Sequence, residues 1–341
     1  MELNKETLKI LSIDGGGIKG IYSLYVLKRI EEQLCGPGET LSDYFDMICG
    51  TSTGGIIALA ISIRRPIKDI IEMYESNAST IFPNNENSYS LTKKLMGVYR
   101  SLAALWSYKY DNQALTKHID AFFEKRTMKD ANNLLCITSF QLETNNNRVF
   151  KYPFNDKMIR DGKILMRDAA LATSAAPTYL PPHYIDELSG HFVDGGVWAN
   201  DPSLVGITDA LTDFIGNDKK YAKYDLLSIG NIVVRSESMK NMKSYWGGKN
   251  LLKLPTLFMD SNKNSTQHYC KSLCSKTDGR RTRIECNDFP YVDSLEMDNT
   301  TKEFITKLKG FGIRDGIKFL TEEAESYNIQ RFFKAKKTWQ P

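Results

Sequence analysis

The first sixty residues alternate between short apolar runs and apolar stripes. Leu8 to Ile13 is a buried-strand candidate. Ile21, Leu24, Leu27, Ile30 and Leu34 then recur at three- and four-residue steps, which places them on one face of a helix. Gly36-Pro37-Gly38 ends that helix. Tyr44 to Cys49 predicts a second strand, and Gly54 to Ile63 a largely apolar helix. Strands alternating with helices imply a parallel sheet covered on both faces.

Further along, Leu134 to Phe140 and Arg148 to Tyr152 predict strands flanking the turn-rich Thr144 to Asn147. Arg167 to Ala176 is Ala-rich and helix-like, and His191 to Val193 leads into Asp194-Gly195-Gly196. Asp201 before Pro202 resembles an N-cap with proline at N1, starting a helix through about Phe214. Leu226 to Ile229 predicts another strand. After Gly230 the chain turns polar and basic without clear periodicity, apart from Leu251 to Met259; residues 231–290 are expected to form an accessory region. Helix-like patterning returns over 301–335. Leu95, Val98, Tyr99, Leu102, Leu105 and Trp106 form an apolar stripe among Lys93, Lys94, Arg100 and Lys109. That pattern suits a helix packed on the sheet, or one lying on a membrane.

Composition changes this picture little. The 341 residues are 41% hydrophobic and 25% charged, enough for a core that needs no disulfide or structural metal. The formal charge of +4 is too weak to argue for nucleic acid, though compatible with an anionic membrane surface. Met1 to Lys9 lacks a signal-peptide core, and Ile56 to Ile63 is too short to span a bilayer, so a soluble cytoplasmic protein is expected. The six cysteines read as reduced thiols. His268, Cys270, Cys274 and Cys286 match no common zinc spacing, and no metal is expected.

Two glycine-rich turns carry the candidate chemistry. Gly50-Thr51-Ser52-Thr53-Gly54, between a strand and an apolar helix, reads as a nucleophile elbow presenting Ser52, with Gly50 and Gly54 allowing a strained turn close to its neighbours. Asp14-Gly15-Gly16-Gly17-Ile18-Lys19-Gly20 offers the backbone N–H groups of Gly15, Gly16 and Gly17 to an oxyanion. The same turn is formally a dinucleotide fingerprint, but the next strand ends in the serine turn rather than in the acidic residue that motif expects. A serine nucleophile needs a base. Of four histidines only His268 follows Asp194, and nothing local positions it; the alternative is a dyad in which Asp194 takes the Ser52 proton directly.

The three motifs at 14–20, 50–54 and 194–196, in this order and separation, resemble the patatin-like phospholipases over roughly residues 8–230. The resemblance implies a three-layer α/β/α fold with a central, mostly parallel sheet. It also implies a Ser52–Asp194 dyad, an oxyanion hole at Gly15 to Gly17, and hydrolysis of glycerophospholipid acyl esters without metal. Thr51 to Leu59, Ala172 to Tyr179 and Phe192 to Asn200 are similar to patatin-like effectors of bacterial cyclic-oligonucleotide antiphage signalling. That narrower resemblance implies a cyclic di- or oligonucleotide activator and action at the inner membrane surface, and a homo-oligomer is compatible with it. Asp201 departs from the asparagine expected before the proline. Arg235, Lys240, Lys243, Tyr245, Trp246, Arg280 and Arg281 are the candidates for nucleotide sensing, since these types pair with phosphate and stack on bases. The alternatives are a constitutive lipid acyl hydrolase and a non-catalytic nucleotide-binding module.

Overall fold

The computed structural model describes residues 6–81, 111–233, 254–290, 299–321 and 328–341. The stripe at 95–106 and the candidates Arg235, Lys240, Lys243, Tyr245 and Trp246 lie outside the described residues.

Eight strands form one sheet: β1 (Glu6–Ile13), β2 (Met47–Thr51), β3 (Leu134–Gln141), β4 (Asn146–Lys151), β5 (His183–Ile185), β6 (Gly190–Asp194), β7 (Tyr221–Ile232) and β8 (Arg280–Cys286). The order is β5-β6-β3-β2-β1-β7-β8, with β4 also paired to β3. Strands β3, β2, β1, β7 and β8 run parallel, whereas β4 and β6 run antiparallel to β3. The mostly parallel sheet follows from β1 and β2, which are buried on both faces.

The longer helices are α1 (Gly20–Leu34), α2 (Thr53–Ser62), α3 (Ile67–Ile81), α4 (Gln113–Phe123), α5 (Met166–Ser174), α6 (Ser203–Asp209), α7 (Leu254–Lys276) and α8 (Lys302–Thr321). Strand alternation separates the two helical layers. A side chain on Gly55 of α2 would meet Ile137, and one on Gly206 of α6 would meet Cys49 and Ile10. Ile137 adjoins Cys136, the register partner of Cys49, so successive residues face opposite layers. α2 and α5 therefore cover one face and α6 the other.

The sheet departs from expectation on its far side. The stretch set apart as accessory supplies β8, paired to β7 from Asp225↔Arg280 to Ile232↔Cys286. Its burial alternates: Thr282, Ile284 and Cys286 are buried, whereas Arg281, Arg283 and Glu285 are partly covered. The alternation hides in sequence because one face of the strand is charged. Those charges are matched by buried carboxylates from other elements. α6 starts one residue later than the Asp201-Pro202 signal places it, with Pro202 as the N-cap rather than the first helical residue, and Asp201 Oδ1 accepts the Ser203 N–H at 3.0 Å. The helical path runs on through a π turn over Ala210–Phe214.

Candidate active site

Strand register brings the serine and the aspartate together. β2 occupies one edge of β3 only as far as the pair Thr51↔Thr138. β6 takes over the same edge, antiparallel, and ends at Asp194↔Ser139. The two strands thus meet C-terminus to C-terminus, with Ser52 one residue beyond one end and Asp194 at the other. Thr51 Oγ1 bonds Thr138 Oγ1 at 2.7 Å and donates to the Ala199 carbonyl at 2.5 Å, which ties β2 to the chain after β6.

Ser52 has φ 55° and ψ −126°, a conformation that a residue with a Cβ adopts only under strain. Three contacts hold it there. Its N–H donates to Thr173 Oγ1 at 2.9 Å, and its carbonyl accepts the N–H groups of Gly55 and Ile56 in the first turn of α2. A Cβ on Gly50 would collide with the Gly54 carbonyl, and one on Gly54 with the Ile13 carbonyl. The hydroxyl consequently stands at the N-terminus of α2, where the helix dipole favours negative charge.

The first glycine turn follows β1, the neighbour of β2, so the two turns lie side by side. Gly17 has φ 56°, the left-handed region that favours glycine. Asn231 Nδ2 donates to the Gly15 carbonyl at 2.6 Å, and Thr53 Oγ1 to the Gly17 carbonyl at 2.9 Å. The Gly15 N–H donates to the Asn200 carbonyl at 2.9 Å. That bond corrects the expectation for Gly15, whose N–H is not available to an oxyanion. Gly16 and Gly17 precede and open a short 3-10 turn, where backbone donors have no partner within the helix.

Asp194 is fully buried. Burial pushes its carboxyl up to about 7, opposed by hydrogen bonding from the Ser52 hydroxyl and the Gly196 N–H. Oδ1 accepts the Gly196 N–H at 2.7 Å, while Oδ2 completes no hydrogen bond of standard geometry among the described residues. Among the described residues no cation pairs with it. Such a carboxylate is poised to gain a proton near neutral pH, and catalytic contacts often tighten only with substrate present.

The histidines stand elsewhere. His183 bonds Asp168 at 2.9 Å, His191 bonds Glu143 at 2.6 Å, His118 lies on α4, and His268 is exposed on α7 against Tyr269. No group of three His, Cys, Asp or Glu placed to hold a metal occurs among the described residues, and none of their helices is long and apolar enough to cross a membrane.

Behind the glycine turn lies an ion network that no sequence motif announces. Arg283 of β8 donates to both oxygens of Asp14, at 2.8 and 2.5 Å, and to Asp201 at 3.3 Å, Ser228 at 2.7 Å and Glu285 at 3.0 Å. Lys263 of α7 reaches Glu285 at 3.3 Å and Asp14 at 4.0 Å. Asp14 leads into the glycine turn and Asp201 closes the loop that comes after Asp194. One guanidinium therefore braces both active-site loops. Burial raises the Asp14 carboxyl to about 6; Arg283 pulls it down and Asp201 pushes it up. The Arg280 guanidinium forms a two-pronged pair with Asp225 at 2.7 Å on each arm.

A serine turn and a glycine turn side by side at the C-terminal edge of a mostly parallel sheet form the architecture of a lipid ester hydrolase. The patatin-like phospholipase family model matches residues 11–206, and the chain belongs to that family. It is 36% identical to a cGAMP-activated phospholipase of Vibrio cholerae serotype O1, with 90% of each chain covered. It is 31% identical to a cGAMP-activated phospholipase of Escherichia coli, over 80% of this chain and 76% of the relative. It is 28% identical to patatin-like protein 1 of Oryza sativa subsp. indica, over 95% and 84%.

Proposed function

We propose that Ser52 is the nucleophile and Asp194 the general base in hydrolysis of the acyl esters of membrane glycerophospholipids. Ser52 Oγ attacks the ester carbonyl carbon while its proton passes to the Asp194 carboxylate. The carbonyl oxygen becomes an oxyanion, stabilised by the N–H groups of Gly16 and Gly17 and by the positive end of α2. Collapse expels the lysophospholipid alkoxide, which takes the proton back from Asp194. Water then gives a proton to Asp194 and attacks the acyl-serine. The fatty acid leaves, and Ser52 recovers its proton. The observation that carries this reading is the meeting of β2 and β6 along one edge of β3, with a strained serine at one end and a fully buried carboxylate at the other.

We also infer that a cyclic dinucleotide switches the activity on, in the manner of an antiphage effector acting from the cytoplasm on the inner membrane. The full-length similarity to cGAMP-activated phospholipases supports this.

Fatty-acid release from phosphatidylglycerol vesicles, with and without 3′,3′-cGAMP, tests both parts. The expected result is slow release that rises at least tenfold with the nucleotide and vanishes in Ser52→Ala. Full release that no cyclic nucleotide changes would leave a constitutive lipase. Release that survives in Ser52→Ala would remove the serine from the mechanism.

A further inference from the structure

A cavity of about 800 Å³ opens where β8, α7 and α8 meet. Its size falls within the roughly 300–1,000 Å³ of small-molecule pockets. Lys271, Arg281, Arg283, Arg314 and Lys318 line it, together with the ring of Phe319 and the carboxylates of Glu285, Asp288 and Asp315. Among the described residues of the lining, five cations against three carboxylates leave a net charge of +2. The sequence singled out Arg281 alone of these.

Arg281 is the informative member. Its Nε and Nη2 are buried and make no hydrogen bond among the described residues; Nη2 stands 3.8 Å from Asp201. Leaving such donors unsatisfied is costly. An anion accepting from them would remove that cost. Guanidinium groups favour planar, two-pronged contact with phosphate oxygens. The Phe319 ring, with the Lys318 ammonium 5.9 Å from its centroid, adds an aromatic surface to the wall. Carboxylates can accept the N–H groups on a guanine edge, as they accept the amino group of cytosine.

The cavity is wired to the active site by two elements. Arg283 lines its wall and also braces Asp14 and Asp201. α7 contributes Lys271 and Cys274 to the cavity. Earlier in the same helix, Met259 sits over Gly196, Asn262 accepts the Asn200 N–H at 3.2 Å and donates to the Trp198 carbonyl, and Lys263 reaches Asp14. Met259 and Lys271 are about 18 Å apart along a continuous helix.

We propose that this cavity binds the activating cyclic dinucleotide and that its two phosphates engage Arg281 and the cations around it. Occupancy re-aims Arg283 and shifts α7, which alters the loops carrying Gly16, Gly17 and Asp194 and opens access to Ser52. The inference rests on the nucleotide activation proposed under the function. Arg283 is a positioning residue in it, since it acts through Asp14 and Asp201.

The test is calorimetric titration of the full chain with 3′,3′-cGAMP, beside the rate at which a fluorophosphonate probe labels Ser52. Two variants are compared with the wild type: Arg281→Ala, and the exposed pair Lys271→Glu with Lys318→Glu, which reverses charge without touching the core. Lys125→Ala, a surface lysine remote in sequence from all three walls, is the control. The expected result is binding and faster labelling in the wild type and in the control, at least tenfold weaker binding in both cavity variants, and no nucleotide-dependent rise in their labelling. Cavity variants that bind and respond like the wild type overturn the cavity proposal while leaving nucleotide activation standing. A wild type that binds no cyclic dinucleotide overturns the activation reading itself. Equal affinity for GMP and for the cyclic dinucleotide overturns the assignment of ligand class.

Discussion

Asp14 and Asp194 are two buried carboxylates flanking the same serine turn, and their surroundings differ in one respect. Asp14 is held by Arg283 on both oxygens and approached by Lys263. Asp194 has a hydroxyl and one N–H, and no cation among the described residues. Burial lifts both carboxyls, to about 6 and about 7. A charge pinned by a guanidinium serves position. A charge without a counter-ion is free to accept a proton, which is what a base beside a serine needs. The contrast supports the proposed division of roles, position for one aspartate and chemistry for the other, though they share a residue type and a depth.

Removing the chemistry is expected to have the largest effect. Ser52→Ala should cut phospholipid hydrolysis at least about 10⁴-fold and abolish fluorophosphonate labelling. Asp194→Asn should cost about 10²–10⁴-fold in turnover, the usual range for loss of a general base. The same substitution should raise the melting temperature at pH 8. A carboxyl whose pKa is raised by folding destabilises the folded state as pH climbs from its ordinary range through about 7. The gain should therefore fade toward pH 4. A variant that is inactive but no more stable at pH 8 would mean that Asp194 is not an uncompensated buried charge.

Removing the brace should act on stability. Arg283→Met strands Asp14 and Asp201 without their shared cation, at about 3–5 kcal/mol. Denaturant melts should show a larger loss at pH 8 than at pH 5, because protonating Asp14 relieves part of the burial cost. An equal loss at both pH values would take Asp14 out of that account. A subtler check is the pH dependence of kcat/KM, which should rise with pH and level off above about 7 as Asp194 ionises. The smallest effect is expected for His268→Ala. The residue is exposed on α7, and its activity should stay within about twofold of wild type, as for surface changes generally.

Much of the catalytic half was legible because it is built from local signals. A glycine at a positive φ, a serine between a strand and an apolar helix, and Asp-Gly-Gly after an apolar strand are short-range patterns. Their order along the chain was enough to resemble one family. Thr173 lay within a stretch that carried the resemblance, but nothing local pointed to its contact with Ser52, and Asn231, which holds Gly15, is an ordinary residue at a strand end. β8 did carry one: Arg281, Arg283 and Glu285 alternate with Thr282, Ile284 and Cys286. Its charged face mimics a solvated loop until the carboxylates that match it are located.

By itself, then, the sequence determined the family, its class of chemistry and the turn proposed to carry the nucleophile. These depend on backbone geometry set by residues a few positions apart. Only the tertiary structure decided that β6 finishes where β2 does, so that Asp194 arrives beside Ser52. It alone showed that the Gly15 N–H is taken by Asn200 and that an arginine 269 residues from Asp14 holds the glycine turn in place. Strand order and the partner of a buried charge are contacts between distant segments, and no local pattern encodes them.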